Sequence, residues 1–134
     1  MNISDALSIL KDNGFKYTNK REMLLTLFAN ERRYLSAKTV LEHMKSSYPG
    51  LSFDTIYRNL SVFTELGILE DTELDGEKHF RFTCSTVGHH HHVICLDCGK
   101  TRSIQSCPMS EVEVGNFAIT DHKFEIYGYC NECQ

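Results

Sequence analysis

Two Cys-x2-Cys pairs constrain this chain more than any other feature. They are Cys95-Leu96-Asp97-Cys98 and Cys130-Asn131-Glu132-Cys133. Each pair sets two thiols about one tetrahedral edge apart, so two pairs close a four-sulfur cage. Four thiolates leave a zinc ion no open position, which makes the expected site structural rather than catalytic. The pairs lie further apart than in a compact zinc ribbon, so a helix and a strand between them must bring them together. Metal binding then ties the last strand to the middle of the domain and adds folding free energy. The other two cysteines, Cys84 and Cys107, also fall in the back half. In a cytosolic chain such a set reads as metal rather than disulfide. A thioredoxin-type dithiol would need a βαβ setting that the pattern lacks.

The cytosolic reading rests on two absences. No apolar run reaches the ~18 residues that a bilayer span needs. Met1-Asn2-Ile3-Ser4-Asp5 has neither the basic start nor the apolar stretch of a signal peptide. The expected location is therefore the cytoplasm, with no membrane partner. At 134 residues the chain is one ordinary domain or two small ones. Its net charge of −4 is unevenly spread. Up to Leu66 nine basic residues outnumber seven acidic ones, leaving −6 for the remainder. A mildly basic front and an acidic, His- and Cys-rich back suggest two halves with different partners.

The front half reads as short helices. Ala6, Leu7, Ile9 and Leu10 give an apolar face that ends at Asn13-Gly14. Thr18 can cap a second helix with Met23, Leu24, Leu27 and Phe28 on its stripe, and Ser36 a third with Val40, Leu41 and Met44 buried. Ser52 can cap a fourth with Ile56, Leu60 and Phe63 inward. After Gly67 the apolar period falls to two, and Asp75-Gly76 separates two strand-like runs, 68–74 and 77–82. Helices followed by a hairpin predict a winged helix-turn-helix over residues 1–83, with a hinge near 68–83. Residues 84–134 read as a small α/β domain, with strands at 92–95, 100–104 and 124–129 and a short helix after Pro108. The fold class is α+β. The second domain is too small for a large core and needs metal or a partner chain.

His89, His90, His91 and His92 run directly into a strand. Strand side chains alternate, so His90 and His92 point one way, and His89 and His91 the other. The run thus serves two metal sites rather than one cage. Cys84 is the natural companion of His90 and His92, with Glu70 or Asp71 as a fourth donor. Glu111 and His122 are candidates for the other pair, and Cys107 is expected to be a free thiol.

Taken together, these residues resemble the ferric uptake regulator family, and within it the zinc uptake regulator branch. The resemblance covers nearly the whole chain and rests on FKYTNKRE, FDTIYRNL, LGILE, HHHHVICLDCGK and HKFEIYGYCNEC. It implies a winged-helix DNA-binding domain followed by an α/β dimerisation domain. It implies structural zinc on Cys95, Cys98, Cys130 and Cys133, and regulatory zinc on Glu70, Cys84, His90 and His92. An auxiliary site of some members would map to His89, His91, Glu111 and His122. Iron and peroxide sensors of the family usually carry a histidine near position 34 and a carboxylate near 103, where this chain has Tyr34 and Ser103. Cys84 instead favours a borderline-soft ion, above all Zn(II). Between Glu111 and Asp121 the chain is several residues shorter than is usual, leaving barely two turns for the helix after Pro108.

The fourth helix would read double-stranded DNA. Asp54, Thr55, Tyr57 and Arg58 lie in its first two turns, where base edges are reached in the major groove. Arg58 can grip guanine with two hydrogen bonds, and Tyr57 can pack on a thymine methyl or bond a phosphate. Lys16 matches a lysine that enters the minor groove in relatives, and Lys20, Arg21 and Lys38 are candidate phosphate contacts. A homodimer would place two such helices on an inverted-repeat operator. The expected function is a zinc-activated repressor of zinc-uptake genes. An iron, manganese or peroxide sensor is the rival within the family. A zinc hydrolase or deaminase is the rival outside it, and no His-Glu-x2-His or His-x-Glu with Pro-Cys-x2-Cys supports that one.

Overall fold

The computed structural model describes residues 1–83 and 91–134, so Cys84, His89 and His90 lie outside the described residues. The chain forms two compact units, Met1–Ser85 and Thr86–Gln134.

Each helix of the first unit starts where a polar side chain replaces a missing backbone partner. Asn2 Oδ1 accepts from Asp5 N at 2.8 Å and opens α1, Ile3–Asp12. Thr18 Oγ1 does the same for Arg21 N at 3.1 Å and opens α2, Asn19–Glu31. Ser36 caps α3, Ala37–Met44, and Ser52 caps α4, Phe53–Glu65. Ile56, Leu60 and Phe63, at three- and four-residue spacing, are fully buried. The buried face of α2 is Leu24, Leu25 and Phe28, with Met23 and Leu27 only half-buried. A simple stripe misplaces Leu25 because α2 touches α1, α3 and the sheet, so more of its circumference is covered. On α3, Ala37 is buried while Leu41 is half-buried.

Strands β2, Leu69–Leu74, and β3, Glu77–Phe82, pair in antiparallel register from Leu69↔Phe82 to Leu74↔Glu77. Asp75 and Gly76 both take positive φ, 53° and 77°, as a two-residue hairpin turn requires. A third strand, β1 (Leu35–Ser36), lies against the other side of β3, giving the order β1-β3-β2. Two residues are too few to leave an alternation in the sequence, so this strand was not expected. Phe80, buried between the sheet and α4, joins the helices and the wing in one core.

The second unit is a three-stranded sheet in the order β5-β4-β6. β4, His91–Cys95, pairs antiparallel with β5, Thr101–Ile104, and parallel with β6, Glu125–Gly128. The first cysteine pair forms the turn between β4 and β5. The second follows β6. The helix expected after Pro108 is a single 3-10 turn, Pro108–Glu111, and every residue from Glu111 to Asp121 is exposed.

The apolar core of the first unit sets a clear expectation. Leu60→Ala, at a position with no exposed surface, should cost about 2–5 kcal/mol. Urea unfolding followed by helical circular dichroism should show a lower midpoint with an unchanged slope.

Candidate metal centres and nucleic-acid interface

The two cysteine turns meet at one end of the second sheet. The sulfurs of Cys95, Cys98, Cys130 and Cys133 all lie within 4.8 Å of one another. Cys98 Sγ and Cys130 Sγ are 3.8 Å apart. Zn–S bonds of about 2.3 Å in a tetrahedron give an edge of about 3.8 Å, so the cluster fits that ion. Backbone bonds set this spacing. Cys95 N donates to Lys100 O at 2.8 Å, Gly99 N to Cys95 O at 3.0 Å, and Cys133 N to Cys130 O at 2.9 Å. Leu96 N donates to Gly128 O at 2.8 Å, and Lys100 Nζ reaches Glu132 Oε1 at 3.2 Å, so the two turns are joined.

The protons of the cluster show what it needs. The backbone N–H groups of Cys98 and Cys130 point at Cys95 and lower its thiol to about 6. Cys133 is pushed far up, first by its bond to Cys130, then by burial and the neighbouring sulfurs. Cys95 sheds its proton readily because backbone N–H groups stabilise its thiolate, while Cys133 keeps its own because that proton is shared with neighbouring sulfurs.

A second group of donors sits along the same sheet. His91, at the start of β4, is buried, and its ring meets Phe124 edge-on at 5.4 Å and His122 at 5.1 Å. His91 Nε2 lies 3.2 Å from His122 Nε2, which lies 3.4 Å from Cys107 Sγ. Of the expected auxiliary set, His91 and His122 are therefore together, Glu111 is exposed and outside the group, and His89 is outside the described residues. Cys107 stands with the two histidines, which sequence reasoning missed. A cysteine three residues past a short strand has no partner at motif spacing. The one available signal was that it belonged to neither Cys-x2-Cys pair.

Glu70, on β2, faces Arg81 across the hairpin, with Arg81 Nε 3.6 Å from Glu70 Oε1. The same guanidinium lies over the ring of Tyr34, 5.7 Å from its centre. Asp71, the alternative carboxylate, pairs with Lys78 at 3.7 Å. His92 is half-buried and takes the alternate position to His91 along β4. Cys84 and His90 lie outside the described residues.

The helix expected to meet DNA is α4. Asp54 and Arg58 pair at 3.2 Å with side chains 86% and 76% exposed, so the guanidinium stands in solvent one turn into the helix. Thr55 bonds the capping Ser52 through both its backbone N–H and its hydroxyl. Tyr57 stacks on Phe53 at 6.0 Å and meets Phe80 edge-on at 6.2 Å, which fixes its ring against the core. Arg21 donates to Lys16 O at 2.7 Å and to Asn59 Oδ1 at 3.3 Å. It thus braces the Lys16 loop against α4. Lys20 lies over the Tyr48 ring at 5.3 Å.

A model of the ferric uptake regulator family matches residues 12–127. The ferric uptake regulation protein of Staphylococcus epidermidis is 52% identical over 136 residues, covering 100% of this chain and 97% of that protein. Its counterpart in Staphylococcus aureus is 51% identical, covering 100% and 99%. The iron-containing ferric uptake regulator of Francisella tularensis matches with TM-score 0.68 and 30% identity, over 90% of this chain and 95% of that one. The Helicobacter pylori regulator, described as having three functional metal-binding sites, matches with TM-score 0.75 and 20% identity over 99% and 94%.

Removing metal from the four-cysteine cluster should expose its thiols to titration. In metal-free, reduced protein, thiolate ultraviolet absorbance should rise by one sulfur as the pH rises through about 6. Cys95→Ser should delete that step. An unchanged step in the variant would place the low thiol elsewhere.

Proposed function

The chain belongs to the ferric uptake regulator family, and on that footing we propose that it is a zinc-responsive repressor. Members of this family are metal-responsive transcription repressors that bind DNA, typically as dimers, and are not enzymes. The zinc assignment is our own. It is carried by sulfur. Among the described residues, each of the two groups able to hold a metal includes a thiol, and neither includes a carboxylate. Sulfur donors favour zinc over the harder Fe(II) and Mn(II). Tyr34, buried beneath Arg81, and the exposed Ser103 supply no nitrogen or carboxylate where iron sensors usually have them.

Residues 1–83 are assigned to DNA binding and residues 84–134 to metal binding and dimerisation. Cys95, Cys98, Cys130 and Cys133 hold structural zinc. Glu70, Cys84, His90 and His92 are the proposed regulatory donors. When bound there, zinc would supply a charge that only deprotonated sulfur, neutral imidazole and carboxylate together can satisfy. Glu70 must then loosen its hold on Arg81, so the ion pair competes with the metal. A state with metal bound that binds operator more tightly must, by linkage, bind zinc more tightly on the operator by the same factor. On α4, Arg58 and Tyr57 read base edges in the major groove, with Asp54 and Thr55 beside them and Lys16 reaching the minor groove. The exposed Phe117, Ile119, Ile126 and Tyr129 of the second unit support a homodimer. No helix among the described residues is long and apolar enough to cross a membrane, in keeping with action on DNA in the cytoplasm.

Iron is the second reading, favoured by the ferric naming of the staphylococcal relatives. Fluorescence anisotropy on a labelled AT-rich inverted-repeat duplex separates the two. With the four-cysteine zinc retained, binding should appear as free zinc rises in a chelator buffer, and Cys84→Ser should abolish that response. Equal activation by Fe(II) at cellular levels would move the chain to the iron sensors. Arg58→Ala should weaken operator binding by about 1–3 kcal/mol without changing zinc content.

A further inference from the structure

We infer that Arg21 is a positioning residue for DNA recognition. It ties the Lys16 carbonyl to Asn59 of α4, so that the lysine proposed for the minor groove and the helix proposed for the major groove meet the duplex in one fixed register. The inference rests on the DNA assignments of the proposed function.

The tether is built on one guanidinium. Arg21 Nη1 donates to Lys16 O at 2.7 Å, and Arg21 Nε donates to Asn59 Oδ1 at 3.3 Å. Asn59 Nδ2 donates to Thr55 O at 3.0 Å, which anchors the amide on α4 and turns its oxygen towards Arg21. The guanidinium also lies over the Phe15 ring, 5.5 Å from its centre. Arg21 stands in the first turn of α2, where its own backbone N–H bonds the capping Thr18 at 3.1 Å. The loop 15–18, α2 and α4 thus converge on one planar group. Arginine suits this task because its donors keep fixed directions, whereas lysine offers one ammonium on a flexible stem.

The loop is open on its other flank. A cleft of about 670 Å³ lies there, lined by Ser4, Leu7 and Ser8 of α1 and by Phe15, Lys16 and Tyr17. Lys16 and Tyr17 are exposed. What holds them comes from α2: Arg21 on the Lys16 carbonyl and Glu22 on the Tyr17 hydroxyl. The backbone of Lys16 is therefore fixed while its side chain extends into solvent. The minor groove distinguishes G·C from A·T by the guanine amino group. A lysine carried at a set depth meets that group, whereas one on a loose loop settles on phosphate, where contacts carry no sequence information.

Diaminopurine tests this, because in place of adenine it adds an amino group in the minor groove and leaves the major-groove edge unchanged. The zinc-loaded full chain would be titrated by anisotropy against the AT-rich inverted repeat, with and without diaminopurine in its A·T pairs. The unaltered chain should bind the substituted duplex at least about fivefold more weakly. Arg21→Gln should bind both duplexes alike, as Lys16→Ala should. The double variant should lose at least about twofold less affinity than the product of the single losses. Arg21→Lys keeps the charge and loses the tether, so it too should bind both alike. Discrimination retained in Arg21→Gln would overturn the inference, and discrimination restored by Arg21→Lys would make Arg21 a phosphate contact instead. Trypsin supplies a readout without DNA. In free protein, with helical circular dichroism showing the first unit folded, the bond after Lys16 should be cut faster in both Arg21 variants, and unchanged cutting would equally overturn the inference. If the unaltered chain and Lys16→Ala discriminate alike, the minor-groove assignment of Lys16 falls and the inference with it. If the Arg21 variants alone keep discrimination, the inference falls and that assignment stands.

Discussion

The meeting of four sulfur atoms is the constraint on which the second unit depends. They are brought within one coordination shell by two backbone turns and by the β4–β6 ladder between them. Little else in that unit could hold it. Its fully enclosed side chains are few, Ile94 and Cys95 among the apolar ones and His91 among the polar ones. The first unit is the opposite case. One continuous apolar cluster runs from Ala6 on α1 to Phe80 on the wing, and it requires no ion. The first unit is thus held by burial, whereas the second gathers four thiols able to hold an ion.

That division also separates the two chemical tasks. In the first unit, the side chains proposed to meet bases are positioned by packing. Tyr57 is held between Phe53 and Phe80, and the Lys16 loop is braced by Arg21. In the other unit the useful atoms are donors whose spacing would be unfavourable without a cation. Among the described residues, sulfur appears in both groups of donors that could hold an ion.

The legibility of this molecule in its sequence follows the range of each interaction. Helix starts were readable because Thr18, Ser36 and Ser52 cap within three residues of themselves. The hairpin was readable because Asp75-Gly76 is a local backbone requirement. The four-cysteine cluster was readable because each half carries its own spacing. What escaped depends on distant neighbours. Leu25 is buried only because α2 is flanked on several sides, and β1 exists only because β3 offers it an edge. Cys107 joins His91 and His122 through the path of a loop, which no local pattern encodes. The resemblance pointed at Glu111 for that place, and the shortened segment after Pro108, reduced to one 3-10 turn, leaves Glu111 exposed.

The parallel pairing of β4 with β6 sets an order in time. Its partners, from His92↔Glu125 to Cys95↔Gly128, are far apart along the chain, and such pairings form slowly because a long loop must close first. During synthesis the helices and wing are made before β6 exists, and domains generally fold as they emerge. The first unit can therefore be complete on the ribosome while the first cysteine pair still waits for the second. For that interval the nascent chain carries an open two-sulfur knuckle, and its finishing step is the capture of an ion from the surroundings.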